Sequence, residues 1–402
     1  MPLVAGSVAD LVRSPELRVA LDWFRRERVW INEQHLKLCR IPAPTFLEQK
    51  RAEWMTERFR ELGWESRLDR SGNVVAALPG RRDSATVAVT AHLDTVLAPR
   101  APEEIKLSGD GRLLGPGVSD NGAGLTALLA LAAAWSAAPP LPDAPLAPLL
   151  IANVGEEGEG NLSGMRYVCR DSNGSRPKAF LVLDGPNTDH ITCRALASRR
   201  FEVSVTGPGG HSWSDYGAGN PVHALSRAIA DFTTAAPSDP APRSSFNFGL
   251  IQGGTSINCI PTEARAKVDL RSEKPERIDE MASILAACVA QASEIENGRA
   301  TGGRVTARLK EIGSRPGGEL REGAPILNCL LAVDAFLNIR SRLDCSSTDA
   351  NIPLSMGIPA VSIGAGGQGG GAHTTGEWFH PESRDLGLRR ILLALCMLLL
   401  VE

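Results

Sequence analysis

The sequence predicts an α/β protein, an α/β sandwich interrupted by an inserted unit of the ferredoxin-like βαββαβ type. Three observations carry this. Helical and strand patterns alternate along the first half of the chain, the mark of helices packed on a mainly parallel sheet. From Arg200 the order changes to strand, helix, two strands, helix, strand, which matches a split βαβ unit. Strand signal of the first kind then resumes near Ala360, as if one domain had been opened to admit another. The length agrees, because 402 residues exceed the roughly 250 to 300 at which a single core stops growing. The expected division is 1–196 for the first part of the main domain, 197–312 for the inserted domain, and 313–402 for the remainder.

Residues 8–40 place apolar side chains at helical spacing, and Thr45-Phe-Leu-Glu-Gln starts a second helical stretch running to Leu62. Short strands follow at 73–78 and 86–91, the second apolar enough to lie inside a sheet. Residues 122–138 form an Ala- and Leu-rich helix, and the Pro-rich stretch 139–148 is a surface connection into a strand at 149–154. A further strand is expected over 179–183. In the inserted unit, strands are expected at 201–206, 245–251, 264–270 and 304–312, with helices at 221–233 and 275–295. The apolar run 391–401 is about half of the roughly 20 residues that span a bilayer, so it reads as a buried terminal helix.

Bulk composition excludes several classes. Apolar content of 43% with 22% charged residues is that of a folded globular protein. A net charge of −3 with no basic cluster leaves no footprint for nucleic acid or an anionic membrane. The eight cysteines form no CxxC pair, and the first 20 residues lack a basic segment followed by a continuous apolar one. A reducing, cytoplasmic setting is therefore expected.

Chemistry-bearing residues gather at strand ends and glycine-rich turns. Ala91-His-Leu-Asp-Thr follows a strand, so His92 and Asp94 project from the same side, as a ligand and its orienting partner would. Gly115-Pro-Gly-Val-Ser-Asp-Asn-Gly-Ala-Gly sets one acid, Asp120, among more glycines than helix capping requires. Val154-Gly-Glu-Glu-Gly puts adjacent carboxylates after a strand. A cation would relieve their repulsion, one ligating while the other stays free as a base. Asp184 ends another strand, and His373 follows a glycine-rich loop. Two imidazoles and three carboxylates make a nitrogen-and-oxygen donor set that suits zinc, and also cobalt or manganese.

In this order the motifs resemble the peptidase T, carboxypeptidase G and aminoacylase family of co-catalytic zinc hydrolases, metallopeptidase family M-twenty, with peptidase T-like members the nearest in look. The likeness rests on Ala91-His-Leu-Asp-Thr, Ser119-Asp-Asn-Gly-Ala-Gly, Gly155-Glu-Glu-Gly, Leu183-Asp-Gly, Gly209-Gly-His-Ser, Ile257-Asn-Cys-Ile-Pro, Asp269-Leu-Arg and Ala372-His-Thr, and it covers nearly the whole chain. It implies two zinc ions per subunit bridged by Asp120. His92 and Asp184 would complete one site, and Glu157 and His373 the other. It further implies that Glu156 is the general base for the attacking water and that Asp94 orients His92. In the inserted domain, a lid and dimer contact in such proteins, His211 would stabilise the oxyanion, often in the neighbouring subunit's site, with Asn258 and Arg271 as the substrate-binding pair.

The expected activity is hydrolysis of an amide bond in short peptides, of the aminopeptidase, tripeptidase, dipeptidase or carboxypeptidase kind. The alternative is an N-acyl amino acid deacylase or another small-molecule amidohydrolase, which would share the same site chemistry. A homodimer through the inserted domain, a short peptide or N-acyl amino acid as substrate, and neither nucleic acid nor membrane as partner complete the expectation. A metal-free binding protein on this fold would have lost a ligand or the base, and none is missing.

Overall fold

The computed structural model describes residues 7–81, 84–170 and 176–401. Contacts divide the chain into two units, Met1–Ala195 with Gly318–Glu402, and Leu196–Gly317. The inserted unit ends later than residue 312 because its last strand, Thr306–Arg315, continues three residues further.

The main unit is built on a nine-stranded mixed sheet. At its centre Thr86–His92 lies parallel to Ala147–Asn153 on one side and to Ala179–Leu183 on the other, and Ala360–Ile363 continues the parallel run. All seven residues of Thr86–His92 are buried, as expected of a parallel strand covered on both faces. Antiparallel pairs enter at the flanks: Glu65–Leu68 with Val74–Ala77 on one edge, and on the other His190–Ala195 against Ala360–Ile363, with Arg342–Ser346 parallel to His190–Ala195. Those flanks account for the difference from a mainly parallel sheet.

The helix Gly122–Ala137 is apolar all round and buried from Gly122 to Trp135, which places it inside the unit rather than on its surface. The stretch 8–40 forms three helices, not one. Ser14 caps Pro15–Arg26, whose first residue suits the N1 position, and a break at Glu27 starts Arg28–Cys39. The terminal helix Arg384–Leu399 is buried along its length. No described helix is long and apolar enough to cross a membrane.

In the inserted unit four antiparallel strands lie in the order Ser244–Gly253, Glu263–Ser272, Ala197–Thr206, Thr306–Arg315. Helices Pro221–Ala235 and Pro275–Arg299 cover one face with Leu225, Phe232, Met281 and Leu285. This is the expected βαββαβ plan.

Candidate metal centre

Parallel strands bring their carboxyl ends to one edge of a sheet, and that is where the acids and histidines collect. His92 closes the central strand, Glu156 and Glu157 follow the neighbour ending at Asn153, and Asp184 follows the neighbour ending at Leu183. His373 arrives from elsewhere, on the loop between the paired strands Gln368–Gly370 and Trp378–His380.

Asp120 stands between the two histidines. Its Oδ1 is 3.0 Å from His92 Nε2 and its Oδ2 is 3.1 Å from His373 Nε2. His373 Nε2 also lies 2.9 Å from Glu157 Oε1, and His92 Nε2 lies 3.9 Å from Asp184 Oδ1. Two donor groups result, His92 with Asp120 and Asp184, and His373 with Asp120 and Glu157, each with its ligand atoms within 4.8 Å of one another. The same criterion brings Glu156 together with His92 and Glu157. Helix capping does not explain Asp120, because Asn121 is the cap and accepts from Gly124 N–H at 3.0 Å.

The charges of these groups depend strongly on one another. Burial, then the neighbouring Asp120 carboxylate, pushes Asp184 up to about 7. Burial opposes ionisation of Asp120 too, but hydrogen bonds from His373 and His92 outweigh it and hold its carboxyl well below the usual range. His373 is raised to about 10 by its hydrogen bonds to Asp120 and Glu157. For His92, burial disfavours the charged ring, yet Asp120 and Asp94 more than compensate, and it is raised as well. Raised imidazoles and a raised carboxylate around one shared aspartate are what a site for cations requires, and the imidazole and carboxylate donors fit a metal pair.

Asp94 works differently from a simple orienter. The ring nitrogen His92 Nδ1 is 2.9 Å from the Asp94 carbonyl oxygen and 3.5 Å from its carboxylate. That carboxylate, fully buried, accepts the backbone N–H groups of Glu156 and Glu157 at 3.0 and 2.9 Å and the Thr45 hydroxyl at 3.0 Å. One residue thus fixes both the imidazole and the loop of paired glutamates.

Several supports were not singled out from the sequence. Arg51, wholly buried, donates to Leu93 O at 2.7 Å and so holds the segment between His92 and Asp94. Asp349, hydrogen-bonded by Asn153, adds negative charge near Asp184. Glu377 accepts from the turn that carries Asp120. The glycines of that turn permit close packing: a Cβ on Gly122 would collide with Cys39 and His35, and one on Gly124 with Asn121 and Leu183 O. His35 is buried with Nε2 2.7 Å from Val118 O.

The remaining candidates lie in the inserted unit. His211 Nδ1 accepts N–H groups of Trp213 and Ser214 at 3.2 and 3.4 Å, which assigns the proton to Nε2 and makes that nitrogen a donor. Its own N–H is held by Asp215 Oδ2 at 2.7 Å. Trp213 and Tyr216, beside it, are 86% and 87% exposed. Asn258 neighbours His211, whose strand register pairs it with Cys259. Arg271 donates to Asp269 Oδ2 at 2.6 Å and sits near the far end of Glu263–Ser272. The expected pair is therefore not brought together within one inserted unit: Arg271 lies eight positions along the strand from Glu263, about 26 Å, and Asn258 precedes Glu263 at the opposite end.

Comparisons agree with this architecture. A family profile described as a peptidase dimerisation domain matches residues 197–296, and one described as peptidase family M28 matches residues 73–206. The succinyl-diaminopimelate desuccinylase of Corynebacterium glutamicum is 25% identical over 344 residues, 82% of this chain and 86% of that protein. Aminopeptidase PepT from Bacillus cereus superposes with a TM-score of 0.70 at 20% identity, covering 91% of this chain and 97% of that one. A tripeptidase from Staphylococcus aureus gives 0.73 at 19%, covering 92% and 98%.

Proposed function

We propose, from the premise that the chain belongs with the M-twenty metallopeptidases in fold and in its inserted dimerisation domain, that it is a cytoplasmic two-zinc hydrolase of short peptides. The coarser statement, a hydrolase acting on amide bonds, is what its peptidase and desuccinylase relatives support. The observation that carries the finer one is Asp120, with each oxygen facing the Nε2 of a different histidine.

His92, Asp120 and Asp184 would hold one ion, and His373, Asp120 and Glu157 the other. Bound there, the ions would supply Lewis acidity, lowering the pKa of a water and polarising the amide carbonyl. Glu156, buried beside His92 and Glu157, takes the proton of the attacking water and returns it to the leaving nitrogen. Asp94 keeps Glu156 in reach by holding its backbone N–H. His211, donating through Nε2, has the polarity that an oxyanion needs. Because His211 and Asn258 lie together while Arg271 lies apart, we assign the first two to the neighbouring subunit's substrate in a homodimer. Arg271 would grip a substrate carboxylate through its planar fork.

Metal uptake should expel protons. Asp184 near 7 and His373 near 10, with His92 also raised, mean that ions compete with protons throughout the neutral range. Affinity therefore falls as pH drops from 10 through 7, and at pH 7 more than one proton should leave per chain. Calorimetric titration in buffers of different ionisation enthalpy measures this, and a value near zero would contradict the charge distribution.

The function itself is tested with the zinc-loaded protein on free tripeptides, their N-acetylated forms, their C-terminal amides, and N-acyl amino acids. Loss on N-acetylation alone identifies an aminopeptidase. Loss on amidation alone identifies carboxylate recognition and a carboxypeptidase or deacylase. No hydrolysis of any of them would reject the peptidase reading. The N-acyl amino acid arm decides the second reading, which the desuccinylase relative favours.

A further inference from the structure

The turn that carries Asp120 is held from two sides. On one side Asn121 donates its Nδ2 to Leu183 O at 2.8 Å and accepts from Gly185 N–H at 3.3 Å, which ties the turn to the residues flanking Asp184. On the other side stands Glu377, a carboxylate only 3% exposed. Its Oε2 accepts Gly117 N–H at 2.7 Å. Its Oε1 accepts Ser119 N–H at 2.7 Å, the Ser119 hydroxyl at 3.0 Å and Asp120 N–H at 2.8 Å. The backbone of the same residue takes part, since its carbonyl oxygen accepts Gly115 N–H at 2.9 Å.

Glu377 follows His373 by four residues on one short loop. That loop is internally braced, with Thr374 donating both its N–H and its hydroxyl to Gly371 O, and with Thr374 Oγ1 accepting Gly376 N–H. A small closed ring results: Asp120 Oδ2 meets His373 Nε2, the loop runs from His373 to Glu377, and Glu377 returns to Asp120 N–H. Within this ring Glu377 joins the backbone of Asp120 to the loop that carries His373. Toward Asp184 the turn is joined by different contacts, those of Asn121 with Leu183 O and Gly185 N–H.

Building on the two-metal reading above, we propose that Glu377 is a positioning residue for one half of the centre, the half formed by Asp120, Glu157 and His373. It touches no reacting atom. It sets the geometry of one ion by clamping the backbone of the shared Asp120 to the histidine loop, and leaves the other ion to Asn121.

The test is a titration of the metal-free full chain with cobalt(II), followed by calorimetry and by visible absorption, for wild type, Glu377→Gln and His373→Ala. Gln keeps the volume but sets an amide N–H against a backbone N–H at one of its two ends. The expected result is two equivalents in the wild type and, in Glu377→Gln, a 10- to 100-fold loss of affinity, a range typical of outer-shell substitutions, in one equivalent only. That equivalent should be the one whose spectrum His373→Ala abolishes. Equal weakening of both equivalents, the mark of a merely structural residue, would overturn the assignment, as would unchanged affinity in both. Should Glu377→Gln fail to fold, Ser119→Ala removes a single donor to the carboxylate and should weaken the same equivalent by less; no change there also overturns it. A wild type that binds fewer than two equivalents would reject the two-metal reading and this proposal with it, whereas a normal wild type beside an unaffected variant rejects the proposal alone.

Discussion

Replacing Glu156 by Gln is expected to lower kcat by about a hundredfold to ten-thousandfold, the range ascribed to a positioned acid–base group, while metal content stays at the wild-type value. Both parts matter, because Glu156 and Glu157 each lie with His92 in groups that could hold an ion. What separates them is Glu157 Oε1, which sits 2.9 Å from His373 Nε2 in the Asp120 group. The substitution is conservative for the backbone: the N–H groups of both glutamates remain bonded to Asp94, so the loop should keep its course. Gln can still hydrogen-bond a water but cannot take its proton. Loss of one metal equivalent in Glu156→Gln would make Glu156 a ligand instead, and substantial residual hydrolysis would remove it as the base.

The largest effect on stability should come from Asp334→Ala, about 3 to 5 kcal/mol, far from the candidate centre's chemistry. Asp334 on helix Pro325–Leu337 receives Arg390 Nε and Nη2 from the terminal helix at 2.6 and 2.7 Å, and the Ser341 hydroxyl at 2.6 Å. Arg390 is wholly buried, and its Nη1 has no hydrogen-bond partner among the described residues. Removing the carboxylate strands the entire guanidinium in an apolar setting. Removing both charges should cost much less, so the Asp334→Leu/Arg390→Met double variant is expected to recover most of the loss. Denaturant unfolding followed by tryptophan fluorescence is suited to this, because six of the seven tryptophans lie in the main unit. A loss below about 1 kcal/mol for Asp334→Ala would mean the pair contributes no more than an exposed one.

By itself the sequence determined the α/β class, the inserted βαββαβ unit, and the residues at the ends of the central strands. Apolar runs bounded by turns report strands, glycine around a single acid reports close backbone approach, and adjacent carboxylates report a site for positive charge. His92, Asp120, Asp184, His373 and the pair Glu156–Glu157 stood out because each stands at such a local break in pattern, while the division of roles within the pair rested on the family resemblance. Tertiary structure decided the antiparallel flanks of the sheet, the separation of Asn258 from Arg271, and the frame around the candidate centre. Glu377 reaches residues 257 to 260 positions away. Arg51 and Asp94 likewise act on backbone groups of distant segments. A side chain that binds a peptide N–H or C=O leaves no partner residue to recognise, since every peptide unit offers the same groups. Only folding shows which of them it meets.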